Sequence, residues 1–460
     1  MMPLAGALLL VLLGSACGGS GGPDGGTGTD MRVLRRPDMA TATWATETVA
    51  EVDVGFQMDM AQLPAGGLMV AWLATQARNE GPCTELGDED LPDRFVYDLE
   101  VLEVGINGGV QGREVVQEQL SVGEPTGIDL EVDGAGRPVI ATRFGEPSVD
   151  FGWCGVHDLG LLIREGRTWR EETLVRTSGE AASGEPGSDF GEIVGWWPGL
   201  AFGPGGRSVV GYRDVHAGGR QSDDIRRADF EVAFDTGGGY EAIPVEVGNG
   251  AGSYNRAAFT SDGTAYLVYV NTVESATEVQ RGIWVARSAD GEAWARVRIA
   301  ASPTTNGPAI AVDPIDDTLR VAWYDTSLGQ VQLVTLTDPG AFESFADGWT
   351  RETVGDPRFD EGRDPSLAVA ADGTVGIAYR RCSRVGEGDC TPREDAVVFA
   401  YSAFGGPWTV EVVDEGEDGD CGLYPSLVMA AEGPRIAYLC VADVAGSAED
   451  TVRVARRGPP

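Results

Sequence analysis

One hairpin pattern recurs along the chain. The stretch DPSLAVAADGTVGIAYRR, Asp364–Arg381, returns as LYPSLVMAAEGPRIAYLC, Leu423–Cys440, with its apolar positions and its turn almost in register. Alignment on the turn gives five more copies, Asp59–Ala74, Gly127–Phe144, Pro198–Asp214, Arg256–Asn271 and Pro308–Asp325. Repeats at intervals of about fifty to seventy residues are typical of propellers or solenoids rather than ordinary globular domains.

A second hairpin, built on a Gly turn and a Trp, follows each copy, for example at Leu159–Val175, Gly282–Ile299 and Val397–Val413. Two hairpins make a four-stranded unit. Its first strand is rich in small residues, as at Leu367–Ala370, which suits strands crowded around a central channel. Its second strand is apolar on both faces, which fits a strand between neighbouring sheets. The sequence therefore predicts an all-β fold, a seven-bladed β-propeller of four-stranded antiparallel blades.

The two ends of the chain are predicted to share a blade. After Thr451–Arg456 the chain ends without the Trp-bearing fourth strand of a complete unit. The stretch WATETV at Trp44–Val49 closely echoes WTRETV at Trp349–Val354, which is the fourth strand of the fifth unit. An open ring would leave two bare sheet edges. We therefore expect residues near 41 to 51 to pair with the C-terminal hairpins and close the ring.

Composition excludes several function classes. The formal net charge of −38 and the pI near 4.2 predict a surface that repels nucleic acid. All basic residues are Arg, so a Lys Schiff base and a P-loop are excluded. The only two histidines, His157 and His216, leave little room for His-based catalysis or a His-rich metal site.

The N-terminus has the pattern of an export signal. Leu4–Leu13 is an apolar run too short to span a bilayer but suited to a signal peptide. It continues into Gly14-Ser15-Ala16-Cys17 and a Gly-rich stretch, which resembles a bacterial lipoprotein signal. We expect a signal peptide at 1–16, lipidation of Cys17, a tether at 17–40 and the propeller at 41–460. This predicts a lipid anchor in the bacterial cell envelope, as an outer-membrane lipoprotein or at the cell surface, with ordinary secretion or a misread coding start as alternatives.

The other six cysteines form an even set, which suits an oxidising compartment. No Cys-x-x-Cys pair is present, so zinc ribbons and thioredoxin-like motifs have no support. The predicted disulfides are Cys83–Cys154, Cys382–Cys390 and Cys421–Cys440, although six cysteines permit fifteen connectivities.

One face of the propeller is the expected binding face. Loops after the second strands and between blades share that face, and several are long, at Thr75–Arg94, Gly145–Asp158, Asp214–Arg227, Arg381–Asp395 and Ser178–Trp197. Long irregular loops on a rigid scaffold are where binding is usually found.

Ten residues on that face are candidate ligand contacts, namely Arg143, Trp196, Trp197, Arg213, Asp214, Asp325, Arg363, Asp364, Arg380 and Tyr424. Guanidinium groups bind carboxylates bidentately and aromatic rings stack on sugar faces, so the set suits an acidic glycan or a peptide terminus. The alternative is that these residues cap strand ends and pair with neighbouring aspartates.

Metal sites are weakly indicated. Asp88-Glu89-Asp90 and Asp414–Asp420 offer hard oxygen ligands of the kind calcium takes, but neither has EF-hand spacing, and solvated acidic loops are the alternative. His157 and His216 fall in corresponding loops of adjacent blades, where they could approach one another as metal ligands. We expect no cofactor and no metal, with calcium as the exception to test.

A short motif resembles a known family. Ser288–Trp294, SADGEAW, resembles the Asp box of sialidase-like (BNR-repeat) propellers, Ser-x-Asp-x-Gly-x-x-Trp, shortened by one residue. Remnants remain at Gly166 with Trp169, Gly348 with Trp349, and Gly406 with Trp408. The resemblance implies a turn between the third and fourth strands, away from any active site. The family's Phe-Arg-Ile-Pro segment is absent, with Phe56–Asp59 at the comparable place, so no catalytic residue is carried over.

These patterns predict a monomeric, membrane-anchored propeller lipoprotein that binds a glycan or protein ligand on its long-loop face. The alternative is a sialidase-like glycoside hydrolase or lyase, which would need paired carboxylates at the channel mouth with a raised pKa on one. Asp214, Asp325 and Asp364 are the candidates for that role. A third hypothesis is a purely structural scaffold in an envelope complex.

Overall fold

The computed structural model is nearly all β-structure. It describes residues 44–52, 55–75, 95–122, 127–144, 157–177, 190–191, 193–216, 228–235, 237–271, 281–301, 307–382, 395–403, 405–415, 419–442 and 450–457. Their strands form seven four-stranded antiparallel sheets, and within each sheet neighbouring strands pair in sequence order from the inner strand outward. The predicted seven-bladed β-propeller is confirmed.

Blades 1 to 3 run from the N-terminal side of the ring. Their strands, from inner to outer, are β2 (Gly55–Gln62), β3 (Leu68–Thr75), β4 (Phe95–Val104) and β5 (Val110–Val122); β6 (Asp129–Val132), β7 (Pro138–Phe144), β8 (Asp158–Glu165) and β9 (Thr168–Val175); β10 (Ile193–Phe202), β11 (Ser208–Val215), β12 (Ala228–Asp235) and β13 (Tyr240–Glu246). A 3₁₀ turn at Pro204–Gly206 joins β10 to β11.

Blades 4 to 7 complete the ring. Their strands are β14 (Ser253–Phe259), β15 (Ala265–Asn271), β16 (Gly282–Ser288) and β17 (Ala295–Ala300); β18 (Ala309–Val312), β19 (Leu319–Asp325), β20 (Gln330–Leu336) and β21 (Trp349–Val354); β22 (Asp360–Val369), β23 (Val375–Cys382), β24 (Ala396–Ser402) and β25 (Thr409–Asp414); β26 (Gly419–Ala430), β27 (Gly433–Ala442), β28 (Asp450–Arg457) and β1 (Trp44–Val52). A 3₁₀ turn at Pro339–Ala341 and the short helix α1 (Phe345–Gly348) precede β21.

The ring closes through the predicted exchange of the N-terminal strand. β1 pairs antiparallel with β28, from Trp44 opposite Arg457 to Val52 opposite Asp450. The Trp44 indole donates to Glu411 Oε2 at 3.0 Å and makes an edge contact with the Phe399 ring. Because Glu411 and Phe399 belong to blade 6, this strand also ties the last blade to its neighbour.

The core lies between blades rather than within them. Every residue of the second strand β11 is buried, which accounts for the apolar residues on both faces of the second strands. Trp72 in β3 and Trp323 in β19 are among the largest fully buried side chains. Burial on both sides leaves the blades stacked face to face around the channel.

Five second strands carry a Tyr whose hydroxyl donates to a carboxylate. The pairs are Tyr212 with Glu231, Tyr269 with Glu246, Tyr324 with Asp360, Tyr379 with Glu361, and Tyr438 with Asp414. Burial, and then the adjacent carboxylate, raise the pKa of Tyr269 above its usual range, so its hydroxyl keeps its proton. The repeated Tyr therefore serves to satisfy buried carboxylates.

Neighbouring inner strands contact one another all the way round the channel. At four of the seven contacts a side chain of one blade accepts a backbone N–H from the next. The donors and acceptors are Leu130 N to Asp59 Oδ2 at 2.9 Å, Leu200 N to Asp129 Oδ2 at 2.6 Å, Leu427 N to Ser366 Oγ at 3.0 Å and Met60 N to Ser426 Oγ at 3.0 Å. These bonds brace the channel wall.

The Asp-box segment forms a turn between β16 and β17, as the resemblance implied. Asp290 Oδ1 accepts the backbone N–H groups of Glu292 at 2.9 Å and Ala293 at 3.1 Å, which lower the pKa of Asp290. The Trp294 indole donates back to Gly291 O at 2.9 Å. The motif is therefore a self-contained turn at the end of the blade opposite the long loops.

Of the three predicted disulfides, Cys421–Cys440 is confirmed and joins β26 to β27. Cys382 is also disulfide-bonded, and its predicted partner Cys390 lies outside the described residues. Cys17, Cys83, Cys154 and Asp88–Asp90 lie outside them as well. Within the part of the chain that the structure describes, no helix has the length and apolar character needed to cross a bilayer.

Candidate functional site

A ring of left-handed backbone positions surrounds the channel mouth on the long-loop face. We call the inner-strand position that accepts the bracing bonds the braced position; across blades 1 to 7 it is occupied by Asp59, Asp129, Gly199, Arg256, Ala309, Ser366 and Ser426. In every blade the residue two positions before it has a positive φ. These residues, the mouth ring, are Gln57 (49°), Gly127 (85°), Trp197 (47°), Tyr254 (51°), Gly307 (50°), Asp364 (52°) and Tyr424 (48°). All seven line one cavity of about 160 Å³.

A glycine-led bulge produces this turn in the backbone. In five blades Gly stands two residues before the mouth ring, at Gly55, Gly195, Gly252, Gly362 and Gly422. In three of these blades the strand pairing shifts register at the Gly, for instance between Val194 and Trp196, and in all five it shifts at the mouth residue. At Gly362 a Cβ would lie 2.7 Å from the backbone nitrogen of Val331, so only Gly fits.

The mouth ring retains side chains at a conformational cost. A left-handed conformation costs a non-glycine residue about 1–2 kcal/mol. Gly127 and Gly307 show that the blade accepts Gly at this position, yet the other five blades carry Gln, Trp, Tyr, Asp and Tyr. Those five side chains are half-buried. Strained residues of this kind cluster at binding sites, so the ring is the strongest candidate site in the described fold.

Aromatic rings form one arc of the mouth. The Trp197 and Tyr254 rings are 5.0 Å apart and inclined at 39°, and Trp196 meets Trp197 edge-on at 5.6 Å. The Arg213 guanidinium lies 5.6 Å from the Trp197 ring centre, and donates to Ser253 Oγ at 2.7 Å. Burial, and then the charge of Asp364, raise the pKa of Tyr424, so its hydroxyl stays protonated. The mouth therefore combines aromatic faces with hydrogen-bonding groups.

Charged side chains lie below the mouth, inside the channel. This lumen cluster consists of Asp59, Asp129, Glu131 and Arg256, in a cavity of about 150 Å³. Burial, and then the nearby charge of Asp59, raise the pKa of Glu131 to about 8. The Glu131 side chain is exposed towards the lumen cavity that it lines. Burial raises the pKa of Asp129 well above its usual range, partly offset by Arg256. Three carboxylates thus share one guanidinium.

Three of the ten residues predicted as ligand contacts, Trp197, Asp364 and Tyr424, belong to the mouth ring. The predicted arginines are instead engaged in the fold. Arg380 pairs with Asp395, and Arg363 pairs with Asp360 at 3.1 Å. The ligand role of these arginines stays a prediction.

The remaining candidates lie away from the mouth cavity. Arg143 is buried, and burial lowers its pKa to about 9, which keeps it charged near neutral pH. Trp196 is 8% exposed and packs behind Trp197. Asp214 is fully buried, and Asp325 pairs with Arg351 at 3.2 Å.

Two groups of described residues have the donor types of a metal site. In one, Asp414 lies near Cys421 and Cys440, but the disulfide occupies both sulfurs. Asp414 accepts from Tyr438 at 2.6 Å and Arg453 at 3.0 Å, so it is already paired within the fold. The other group joins His216 to Asp214 and Asp229 and does not include His157, the partner proposed from the sequence. Calcium binding at Asp414–Asp420 stays a prediction.

Sequence reasoning missed Gln57, Tyr254 and Arg256, together with the lumen carboxylates. The available signal was the spacing of Gly to mouth residue, which reads GFQ, GWW, GSY, GRD and GLY in five blades. Aligning the copies on this Gly, rather than on the turn, places Gln57 and Tyr254 level with the three mouth residues that were predicted.

No family model matches the sequence, and no curated protein shows significant similarity to it. Solved structures resemble its fold. A protein of unknown function from Dyadobacter fermentans is 12% identical with a TM-score of 0.44, covering 79% of this chain and 97% of its own. The NanB sialidase of Streptococcus pneumoniae is 11% identical with a TM-score of 0.44, covering 89% and 69%.

An α-L-arabinofuranosidase of Fusarium graminearum is 11% identical with a TM-score of 0.41, covering 90% of this chain and 98% of its own. The propeller fold itself is shown by the seven four-stranded sheets of this chain. At such identities no activity passes from these proteins to this chain.

Proposed function

We propose that this chain is a saccharide-binding protein whose ligand sits on the mouth ring. One observation carries the proposal. Five blades keep large or polar side chains at left-handed positions where two blades have Gly. Packing alone does not require them, because Gly127 and Gly307 serve the same place in equivalent blades.

The chemistry of the mouth suits a sugar. The inclined rings of Trp197 and Tyr254 offer apolar faces to the C–H side of a pyranose, while Gln57, Asp364 and the Tyr424 hydroxyl offer donors and acceptors. The cavity of about 160 Å³ fits one ring of a longer chain. Neutral saccharides are favoured over acidic ones, because the whole chain carries a formal net charge of −38.

The test is a binding titration with defined oligosaccharides. Neutral and acidic oligosaccharides of equal length are titrated by calorimetry against the protein. We expect the neutral series to bind at least tenfold more tightly, and Trp197→Ala to lose binding by tenfold or more. Trp408→Ala is the matched control, because Trp408 is also partly exposed but donates to Glu352 on the outer edge of the ring.

Each outcome has one meaning. If Trp197→Ala and Trp408→Ala bind alike, the ligand sits elsewhere and the proposed site is wrong. If a broad glycan array gives no binding, a protein ligand or a scaffold role replaces the saccharide.

A glycoside hydrolase is the second candidate, favoured by one observation in the lumen. Glu131 holds its proton near neutral pH and lines the same cavity as the Asp59 carboxyl, and a protonated carboxyl with a second carboxyl nearby is what acid catalysis of glycoside cleavage needs. A panel of fluorogenic glycosides tests it. Turnover that falls at least 100-fold in Glu131→Gln and Asp59→Asn would support catalysis, and turnover unchanged in both would exclude these carboxylates.

We further propose export and lipid attachment at Cys17, on the strength of Leu4–Leu13 and the following Gly-Ser-Ala-Cys stretch. The disulfide Cys421–Cys440 accords with an oxidising compartment. Labelling of the expressed chain with a palmitate analogue, lost in Cys17→Ser, is the expected result. Label retained in Cys17→Ser would overturn attachment at this residue.

A further inference from the structure

A compact group of metal-type donors lies in blade 3, away from the mouth cavity. It consists of Asp214 at the end of β11, His216 just after it and Asp229 at the start of β12. One donor atom from each residue lies within 4.8 Å of the other two. All three side chains are 0% exposed.

We propose that this Asp–His–Asp group binds one divalent transition-metal ion, with Zn²⁺ as the probe. His216 Nε2 lies 3.1 Å from Asp229 Oδ2 and 3.5 Å from Asp214 Oδ2. Bonds of about 2.0–2.1 Å in a tetrahedral zinc site place adjacent donors about 3.3 Å apart. The two distances fall on either side of that value.

A hydrogen bond donated by His216 Nε2 accounts for only one of its two contacts within the group. Imidazole carries at most one proton on Nε2, so it can donate along one of the two contacts but not both. A single ion contacts all three donor atoms at once. A divalent ion within reach of both carboxylates would also offset their charges, in a group whose three side chains are closed to solvent.

The orientation of the two carboxylates is fixed from outside the group. Asp214 Oδ1 accepts Gly191 N–H at 2.8 Å, and Asp229 Oδ1 accepts Gly248 N–H at 2.5 Å. Each bond turns the other oxygen, Oδ2, towards His216. Fixed outer partners of this kind orient metal ligands.

A comparison with blade 2 shows which features of this group are specific to blade 3. Asp158 starts β8 as Asp229 starts β12, and each accepts a backbone N–H from the residue nineteen positions later, Thr177 and Gly248. This shared bond is a feature of the blade. The convergence of His216 and Asp214 on Asp229 is an addition in blade 3.

The donor set selects the kind of metal. One imidazole nitrogen with two carboxylate oxygens suits Zn²⁺ and its neighbours, whereas calcium takes six to eight oxygens. Three protein ligands leave a position for water or a further side chain. The ion would tie β11 to β12 behind β10, the strand that carries Trp197.

The experiment uses the full chain without a polyhistidine tag. Chelator-treated protein is reloaded with Zn²⁺, dialysed and assayed for metal content. We expect one Zn²⁺ per chain, and a melting temperature about 3 °C higher with Zn²⁺ at a hundredfold its dissociation constant. His216→Gln and Asp214→Asn should both lose the ion and the shift, whereas Asp158→Asn and His157→Gln should retain them.

Two results would overturn the proposal. Wild-type protein that retains less than 0.1 equivalent, on the order of background, would mean that the group is a hydrogen-bond network. Retention of the ion by His216→Gln would place the metal elsewhere. If the variants fail to fold, X-ray absorption at the zinc edge of the wild-type protein decides, because the proposed site requires one imidazole with oxygen neighbours and no sulfur.

Discussion

Replacing Trp197 by Gly should destabilise the protein less than replacing it by Ala. Both changes delete the same side chain and its contacts with Tyr254 and Arg213, so that loss cancels in the comparison. The φ of 47° costs Ala about 1–2 kcal/mol, while Gly loses about 0.5–1 kcal/mol relative to Ala through backbone entropy. The Gly variant should therefore be more stable by about 0.5–1 kcal/mol.

Trp196 is the matched control, because it precedes Trp197 in β10 and its φ is not positive. At this extended position the order should reverse, with Ala more stable than Gly by about 0.5–1 kcal/mol. The two differences together span about 1–2 kcal/mol, which is measurable by urea denaturation followed by fluorescence. If Ala is the more stable substitution at both positions, the left-handed conformation of Trp197 is not strained and the argument for the mouth ring fails.

The two Trp197 variants also separate the effect on stability from the effect on binding. Trp197→Gly and Trp197→Ala should lose saccharide binding equally, although they differ in stability. A mouth side chain kept for packing would instead give variants whose binding falls in step with their stability.

Three further predictions concern the ring and its lumen. Trp44→Ala removes the indole bond to blade 6 and should cost about 2 kcal/mol in unfolding free energy, and an unchanged value would show that strand exchange is not fastened there. Loss of the Cys421–Cys440 bond, which joins cysteines nineteen positions apart, should cost about 3 kcal/mol in the Ala double variant, measured by denaturation without reductant. Burial raises the pKa of Glu131 from its ordinary 4.5 to about 8, so the folded chain holds an extra proton between these values and stability should fall as pH rises from 4.5 to 8. Glu131→Gln should make the melting temperature less dependent on pH in that window, and parallel curves for the two proteins would contradict the assignment.

Much of the architecture could be predicted from the sequence because every blade repeats the same local residue pattern. Small residues mark the inner strand, apolar residues on both faces mark the second, and a Gly turn with Trp marks the outer hairpin. The missing fourth strand of the last unit made Trp44–Val49 interpretable as its replacement, and the pairing with Asp450–Arg457 confirms it. These features depend on periods and turns, which are local.

The site depends on register between distant strands, which the sequence does not display. Arg380 was predicted to face a ligand, but it pairs with Asp395, fifteen residues on and across the strand ladder. Asp59 and Asp129 each bond to a residue 71 positions later in the next blade. Only the assembled ring shows which carboxylates brace the wall and which line the lumen.

The bracing bonds also divide the ring into two arcs. Blades 1, 2, 6 and 7 place an acceptor at the braced position, whereas blades 3, 4 and 5 have Gly199, Arg256 and Ala309 there, whose side chains cannot accept a hydrogen bond. Trp197 and Tyr254 of the mouth ring lie in blades 3 and 4, and the Asp–His–Asp group lies in blade 3.

A substitution that introduces a hydrogen-bond acceptor at the braced position of blade 3, 4 or 5 should therefore stabilise the ring. Ala309 occupies the position that Ser366 has in blade 6 and Ser426 has in blade 7, so Ala309→Ser should accept the N–H of Leu367 and add about 1 kcal/mol. Ala311→Ser, two residues along the same strand, is the control and should add nothing. Equal stability of the two variants in urea would mean that the bracing bonds do not hold neighbouring blades together, and that the division into arcs has no energetic basis.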